Sequence, residues 1–273
     1  MQAFLRWTPP GGTLGTICHE SEARAGRLTE RSAELERLAA AATAAPSLAE
    51  ALRGERVAVI AEVKRRSPSK GAIAPDLNAV DQARAYVEGG AAAISVLTEP
   101  DHFSGSLEDL VAVRTAVGAP VLKKDFHVRP IQLVEARGAG ASAALLIARA
   151  LDPDRLREMV EVGRAVGLEL LIEIRDEREL DRALEVGATM IGVNNRDLET
   201  LAIDPTTAER LVPRIPPSIV AVAESGVKTR ADVERYAARG ADAVLVGSSI
   251  SAARDPVAAT RTLAAVPRSP RAD

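Results

Sequence analysis

Short apolar runs separated by longer polar stretches organise most of the chain. They fall at 57–63 (VAVIAEV), 92–97 (AAISVL), 120–126 (PVLKKDF), 142–148 (SAALLIA), 168–174 (LELLIEI), 188–194 (ATMIGVN), 218–225 (SIVAVAES) and 242–248 (DAVLVGS). Each has the length of a strand, and most lack the alternation of a half-exposed sheet, so strands buried on both faces are predicted. Amphipathic stretches follow most of the runs, among them Leu151–Val166, Asp176–Val186 and Thr229–Arg239. Glycines at 89/90, 138/140, 167, 187 and 240 stand where a helix C-cap and the turn into the next strand would need them. The repeat is strand, loop, helix, glycine, strand.

Eight such units predict an α/β fold, a closed (β/α)8 TIM barrel. The alternative is an open doubly wound sheet. It would usually carry a glycine-rich dinucleotide turn after its first strand, and the loop there is Arg-Arg-Ser-Pro-Ser-Lys-Gly. Before the first run the pattern is helical. Residues 1–16 show no periodicity and end in a Pro-Pro-Gly-Gly turn signal, so they are expected to be irregular. A helix is expected from Glu20 to about Ala45, with a second, short one capped by Ser47 after Pro46. The expected organisation is a helical N-terminal extension over 1–56, a catalytic barrel over 57–265 and a disordered tail over 266–273.

Composition narrows the function classes. A length of 273 residues suits a single barrel, and a net charge of −3 with interspersed signs offers no basic stripe for nucleic acid. Cys18 is the only cysteine, and the three histidines are at 19, 102 and 127, so neither a disulfide nor a metal site is expected. The start MQAFLRWTPPGG lacks a signal-peptide pattern and no apolar run reaches the ~18 residues of a membrane span. A cytoplasmic protein without a membrane partner is expected. Aromatic residues make up only 2% of the chain, which draws attention to Phe103 and Phe126.

In a barrel the chemistry sits at the C-terminal ends of the strands. Polar residues occur there in five of the runs: Glu62 and Lys64; Lys123, Lys124 and Asp125; Glu173; Asn194 and Asn195; Glu224 and Ser225. Charges inside apolar strands are rare unless paired or functional. Glu62 and Lys64 are two apart and share a face, whereas only one of Lys123 and Lys124 can face the mouth; the other packs its stem outward under a helix. The Glu224-Ser225-Gly226 and Gly247-Ser248 turns after the last two strands supply small residues and backbone N–H groups suited to phosphate, and Ser67 can add a hydroxyl.

IAEVKRRSPSKG, ISVLTEPDHFSGSLEDL, PVLKKDF, AALLIA, LIEI, IGVNNRDLETL, AVAESG and VLVGSS, in this order, closely resemble the indole-3-glycerol phosphate synthase family of tryptophan biosynthesis, from about residue 57 to 249. The resemblance implies a carbon–carbon lyase that closes, decarboxylates and dehydrates 1-(2-carboxyphenylamino)-1-deoxyribulose 5-phosphate to indole-3-glycerol phosphate. It implies no cofactor, and monomers or weak homo-oligomers are expected. By motif, Lys124 is the expected general acid for closure and Glu173 the base. Lys64 would stabilise the substrate anion and could serve as acid in the dehydration, with Glu62 orienting it. Asn194 would bond the substrate or a catalytic side chain. Arg196 would grip the anthranilate carboxylate, Phe103 and Phe126 would flank the ring, and Glu224 would contact the sugar-chain hydroxyls. Ser67, Ser225, Gly226, Gly247 and Ser248 would hold the phosphate. The chain departs from the family at His102, where a second aromatic is common and an exposed loop histidine is expected here, at Pro130, and at Ile250-Ser251. Two other functions compete: a different phosphosugar enzyme such as the isomerase one step earlier, and a barrel that binds without turnover. The first would need a Cys or Asp acid/base pair that the runs do not show, and the set Lys124, Glu173, Glu62 and Lys64 speaks against the second.

Overall fold

A computed structural model describes residues 8–271. Eight strands close into a parallel barrel: β1 (Ala58–Val63), β2 (Ala93–Leu97), β3 (Val121–Lys124), β4 (Ala143–Ile147), β5 (Glu169–Ile174), β6 (Met190–Asn194), β7 (Val220–Glu224) and β8 (Ala243–Val246). Each pairs with its successor, and β8 returns to β1 with Ala58 opposite Ala243 and Ile60 opposite Leu245. The strands are buried almost throughout, which is why the sequence shows continuous apolar runs. Each apolar run yields one strand, trimmed by up to two residues at an end. Gly90, Gly140, Gly167, Gly187 and Gly240 all adopt positive φ, between 69° and 93°, in the turns that lead back into strands. Asp152, Asp176 and Thr229 accept backbone N–H groups as N-caps of the helices whose stretches were read from the sequence.

The N-terminal extension differs from its expected layout. Its first helix, α1 (Gly12–Thr29), begins inside the segment expected to be irregular, and the helix is interrupted by a turn at Glu30–Arg31 before α2 (Ser32–Ala41). The Pro-Pro-Gly-Gly signal thus marks a helix start. Leu14 and Ile17 recur at helical spacing on a buried face, and Cys18 is buried beside them, its thiol pushed up to about 12 by burial. The short helix α3 (Leu48–Ala51) follows Ser47, whose side chain caps it, and the Glu169 carboxylate at the start of β5 accepts the Leu48 and Ala49 N–H groups at 2.6 and 3.1 Å. Glu169 therefore ties α3 to the floor of the barrel, at the opposite end from the strand C-termini.

The expected disordered tail also needs correction over its described part. Val266 accepts the Val57 N–H, Pro267 bridges Arg56, and Arg268 and Arg271 reach the buried Asp242 at 2.6 and 2.9 Å. Two guanidiniums on one buried carboxylate fix the segment to the floor. Ala272 and Asp273 lie outside the described residues, as do residues 1–7 of the extension.

Candidate active site

The strand C-termini surround a cavity of about 370 Å³. Alternation places Glu62, Lys124, Glu173, Asn194 and Glu224 on the inner faces of β1, β3, β5, β6 and β7, and all five line it. The register brings them close, with Asn194 directly opposite Glu224. Lys64 leaves the end of β1 and donates to Glu62 Oε1 at 2.7 Å. Lys124 donates to Glu173 Oε2 at 3.2 Å and stands 3.6 Å from Glu224 Oε2. Asn194 Nδ2 donates to the other Glu173 oxygen at 2.9 Å, so the Glu173 carboxylate is held from both sides.

The neighbouring polar residues point away. Lys123 is buried behind the barrel wall and pairs with Glu135 of the following helix. Asn195 bonds the Ser225 carbonyl and the Tyr236 hydroxyl at 3.0 and 2.9 Å, and accepts the Ala208 N–H. One residue of register separates the side chains in the cavity from those bracing its wall.

Burial and charge set the protonation of the cluster. Burial alone would lower the Lys124 ammonium, but Glu173, Glu224 and Glu62 outweigh it and hold its pKa above the usual lysine range. For Glu62, burial is overcome by Lys64 and Lys124 and by hydrogen bonds, so its carboxyl lies below the ordinary range. Glu224 goes the other way. Burial pushes its pKa up to about 8, with Lys124 opposing and Glu173 and Glu62 adding to the rise. Its surroundings thus favour the protonated carboxyl over the carboxylate. Its Oε1 is buried without a hydrogen-bond partner and faces Gly192 on β6.

The remaining expected residues line the same cavity. Phe103 and Phe126 lie with ring centroids 6.0 Å apart at 38°, and the Lys64 ammonium is 5.7 Å from the Phe103 centroid. Arg196 is half-buried, which lowers its pKa, and it donates to the Leu201 carbonyl at 2.8 Å. Ser225 takes φ 65° and Gly226 φ 87°, turning the chain sharply after Glu224 so that both border the cavity with Gly247 and Ser248. The Ser67 hydroxyl, across from them, is buried and has no partner within the protein.

Several participants escape a reading of the sequence. Thr13, Leu14 and Ile17 of α1 form one wall, so the extension belongs to the cavity. Lys70 and Lys228 line it as well. A β-carbon on Gly247 would meet Glu62 Oε1 at 2.5 Å, so that glycine makes room for a carboxylate. Ser251, noted above as a departure, donates to the Glu62 carbonyl at 3.1 Å and lies 3.0 Å from the Tyr86 hydroxyl, bracing β1 from behind. His102 is not an exposed loop residue: it is partly buried, with Nε2 2.7 Å from Glu20 on α1.

The family model for indole-3-glycerol phosphate synthase matches residues 14–263. The chain belongs to the indole-3-glycerol phosphate synthase family. The indole-3-glycerol phosphate synthase of Streptomyces griseus subsp. griseus is 51% identical over 243 residues, 87% of this chain and 90% of that protein. That of Mycolicibacterium smegmatis is 49% identical over 230 residues, 84% and 85% of the two chains. Membership makes this chain a decarboxylating carbon–carbon lyase of tryptophan biosynthesis. Among solved structures, 3-hexulose-6-phosphate synthase from Salmonella typhimurium superposes with a TM-score of 0.62 at 16% identity, covering 76% of this chain and 97% of that one. That likeness is one of barrel architecture. Among the described residues no helix is long and apolar enough to cross a membrane, and no group of acidic, histidine or cysteine side chains is arranged to hold a metal ion.

Proposed function

We propose that this cavity closes the indole ring of 1-(2-carboxyphenylamino)-1-deoxyribulose 5-phosphate, with loss of carbon dioxide and then water. The observation that carries the assignment of roles is the Lys124–Glu173 pair: an ammonium whose pKa is raised by the acidic side chains around it, Glu173 foremost, 3.2 Å from a carboxylate that Asn194 orients. As the ring carbon attacks the substrate carbonyl, negative charge grows on that oxygen, and Lys124 delivers a proton to it. Decarboxylation removes the anthranilate carboxyl, and Glu173 then takes the ring proton as water departs. Lys64, oriented by Glu62, stabilises the developing anion and serves the dehydration. Closure forms one carbon–carbon bond, decarboxylation breaks another and dehydration breaks a carbon–oxygen bond, with no net oxidation or reduction, so the reaction as proposed calls for no redox partner.

Binding follows from the shape of the cavity. Arg196 grips the carboxylate of the aromatic ring, Phe103 and Phe126 flank the ring, and the protonated Glu224 carboxyl bonds the sugar-chain hydroxyls. Phosphate lies between Ser67 and the turns bearing Ser225, Gly226, Gly247 and Ser248; the orphaned Ser67 hydroxyl gains an acceptor there. The barrel over 57–265 carries the chemistry, with the extension over 1–56 as part of its wall, and the protein works in the cytoplasm as a monomer or weak homo-oligomer. Incubation of the purified chain with this substrate, followed by indole fluorescence, should show product formation. No indole from folded wild-type protein would end the assignment.

A further inference from the structure

The face of α1 that carries Leu14 and Ile17 into the cavity continues at Ser21 and Arg24, three to four residues per step. Arg24 forks between two buried carboxylates. One nitrogen lies 3.3 Å from Glu99 and the other 3.1 Å from Asp125. Glu99 is fully buried and accepts the N–H groups of Asp101, His102 and Phe103 at 3.1, 2.7 and 3.1 Å, capping the turn that presents the Phe103 ring. Asp125 accepts the Thr98 hydroxyl at 2.6 Å and the Phe126 N–H at 2.8 Å, and so fixes the backbone from which the second ring projects. Two further contacts reinforce the bridge: Ser21 donates to the Phe126 carbonyl, and Glu20 meets His102. A single guanidinium therefore ties the loops after β2 and β3, which carry the two rings, to one rigid helix.

We infer that Arg24 is a positioning residue for substrate recognition: through Glu99 and Asp125 it sets the separation of Phe103 and Phe126, and with it the affinity for the aromatic ring of the substrate. The inference rests on the proposed placing of that ring between the two phenylalanines. Planar, bidentate geometry is what the two carboxylates require, and an ammonium reaching one of them would leave the other loop free. The phosphosugar chain binds on the far side of the cavity and owes nothing to Arg24.

The test compares Arg24→Ala and Arg24→Lys with wild type, reading KM and kcat for the carboxyphenylamino substrate and the inhibition constant of ribulose 5-phosphate, which has the phosphosugar chain without the ring. Arg24→Ala should raise KM about tenfold, with kcat within about threefold and the ribulose 5-phosphate constant unchanged. Arg24→Lys keeps a positive charge between the buried carboxylates, so it reports even if the alanine variant fails to fold, and it should show a smaller rise of the same kind. A folded lysine variant with wild-type KM would overturn the role. Equal weakening of ribulose 5-phosphate binding would overturn it too, since a general loosening of the barrel would act on both ligands. Absence of turnover in wild type would instead overturn the reading of the site on which this rests.

Discussion

A β-carbon on Gly192 would stand 1.9 Å from Glu224 Oε1. The inner face of β6 therefore leaves a place empty, and a carboxylate from β7 fills it. No side chain fits there without moving Glu224, whose other oxygen lies 3.6 Å from Lys124. Gly192→Ala should leave a folded barrel and lower kcat/KM by about a hundredfold, the scale of an ångström-sized misplacement. In the double variant Gly192→Ala, Glu224→Ala the two losses should fail to add. Additive losses would mean that the glycine serves something other than the carboxylate.

The raised Glu224 pKa gives stability a direction with pH. Between the ordinary glutamate value of 4.5 and the folded value of about 8, the folded state binds a proton that the unfolded chain has released. Stability is then present below that window and declines as pH rises through it. Relative to Glu224→Gln, wild type should lose at most about 1.4 kcal/mol per pH unit across the window, the slope of one proton. Urea unfolding of both proteins at a series of pH values measures the difference; a wild type that gained stability relative to Glu224→Gln as the pH rose would contradict the assigned burial.

The two lysines should separate kinetically. Lys124→Met removes the proposed acid, which meets Glu173, and kcat should fall by about 10²- to 10⁴-fold with little change in KM. Lys64→Met removes a charge next to Glu62 and Phe103, and should raise KM as well as lower kcat. Single-substrate kinetics with indole fluorescence resolves the two patterns. Near-normal kcat in Lys124→Met would reassign the acid.

The sequence carried the barrel and much of the cavity because both depend on strand periodicity. Apolar runs interrupted by a charge located the strand ends, and alternation required Lys123 and Lys124 to part company. Motif resemblance then supplied the roles, and all fourteen named residues line one cavity. What stayed hidden depends on tertiary contact. Gly192 sits in ATMIGVN like any strand glycine, and only the arrival of Glu224 from the next strand gives it meaning. Arg24 is one of many arginines in a helix rich in charge, and its partners lie 75 and 101 residues away. The helix start at Gly12 was masked because the turn signal before it reads equally well as a loop. The tail escaped for the same reason as Arg24: VPRSPR is polar and proline-broken, and nothing in it announces that Asp242 waits beneath the barrel.

That tail yields a prediction independent of the chemistry. Asp242 is buried, receives the Ala221 N–H at 2.8 Å, and is flanked by Arg268 and Arg271. Truncation after Val266 keeps the Val57 N–H bond to the Val266 carbonyl but strips both cations from the carboxylate, leaving a buried charge with only backbone support. The truncated protein should lose about 3 kcal/mol of stability, the usual scale for breaking a buried pair. Its kcat and KM at low temperature should stay at wild-type values, because the floor lies at the opposite end of the strands from Lys124 and Glu173. Asp242→Asn in the truncated chain should recover part of the loss, since the amide needs no counter-charge. Urea unfolding and initial rates on the same preparations test both halves. A truncated protein as stable as wild type would show that the two guanidiniums only cover the floor without holding it.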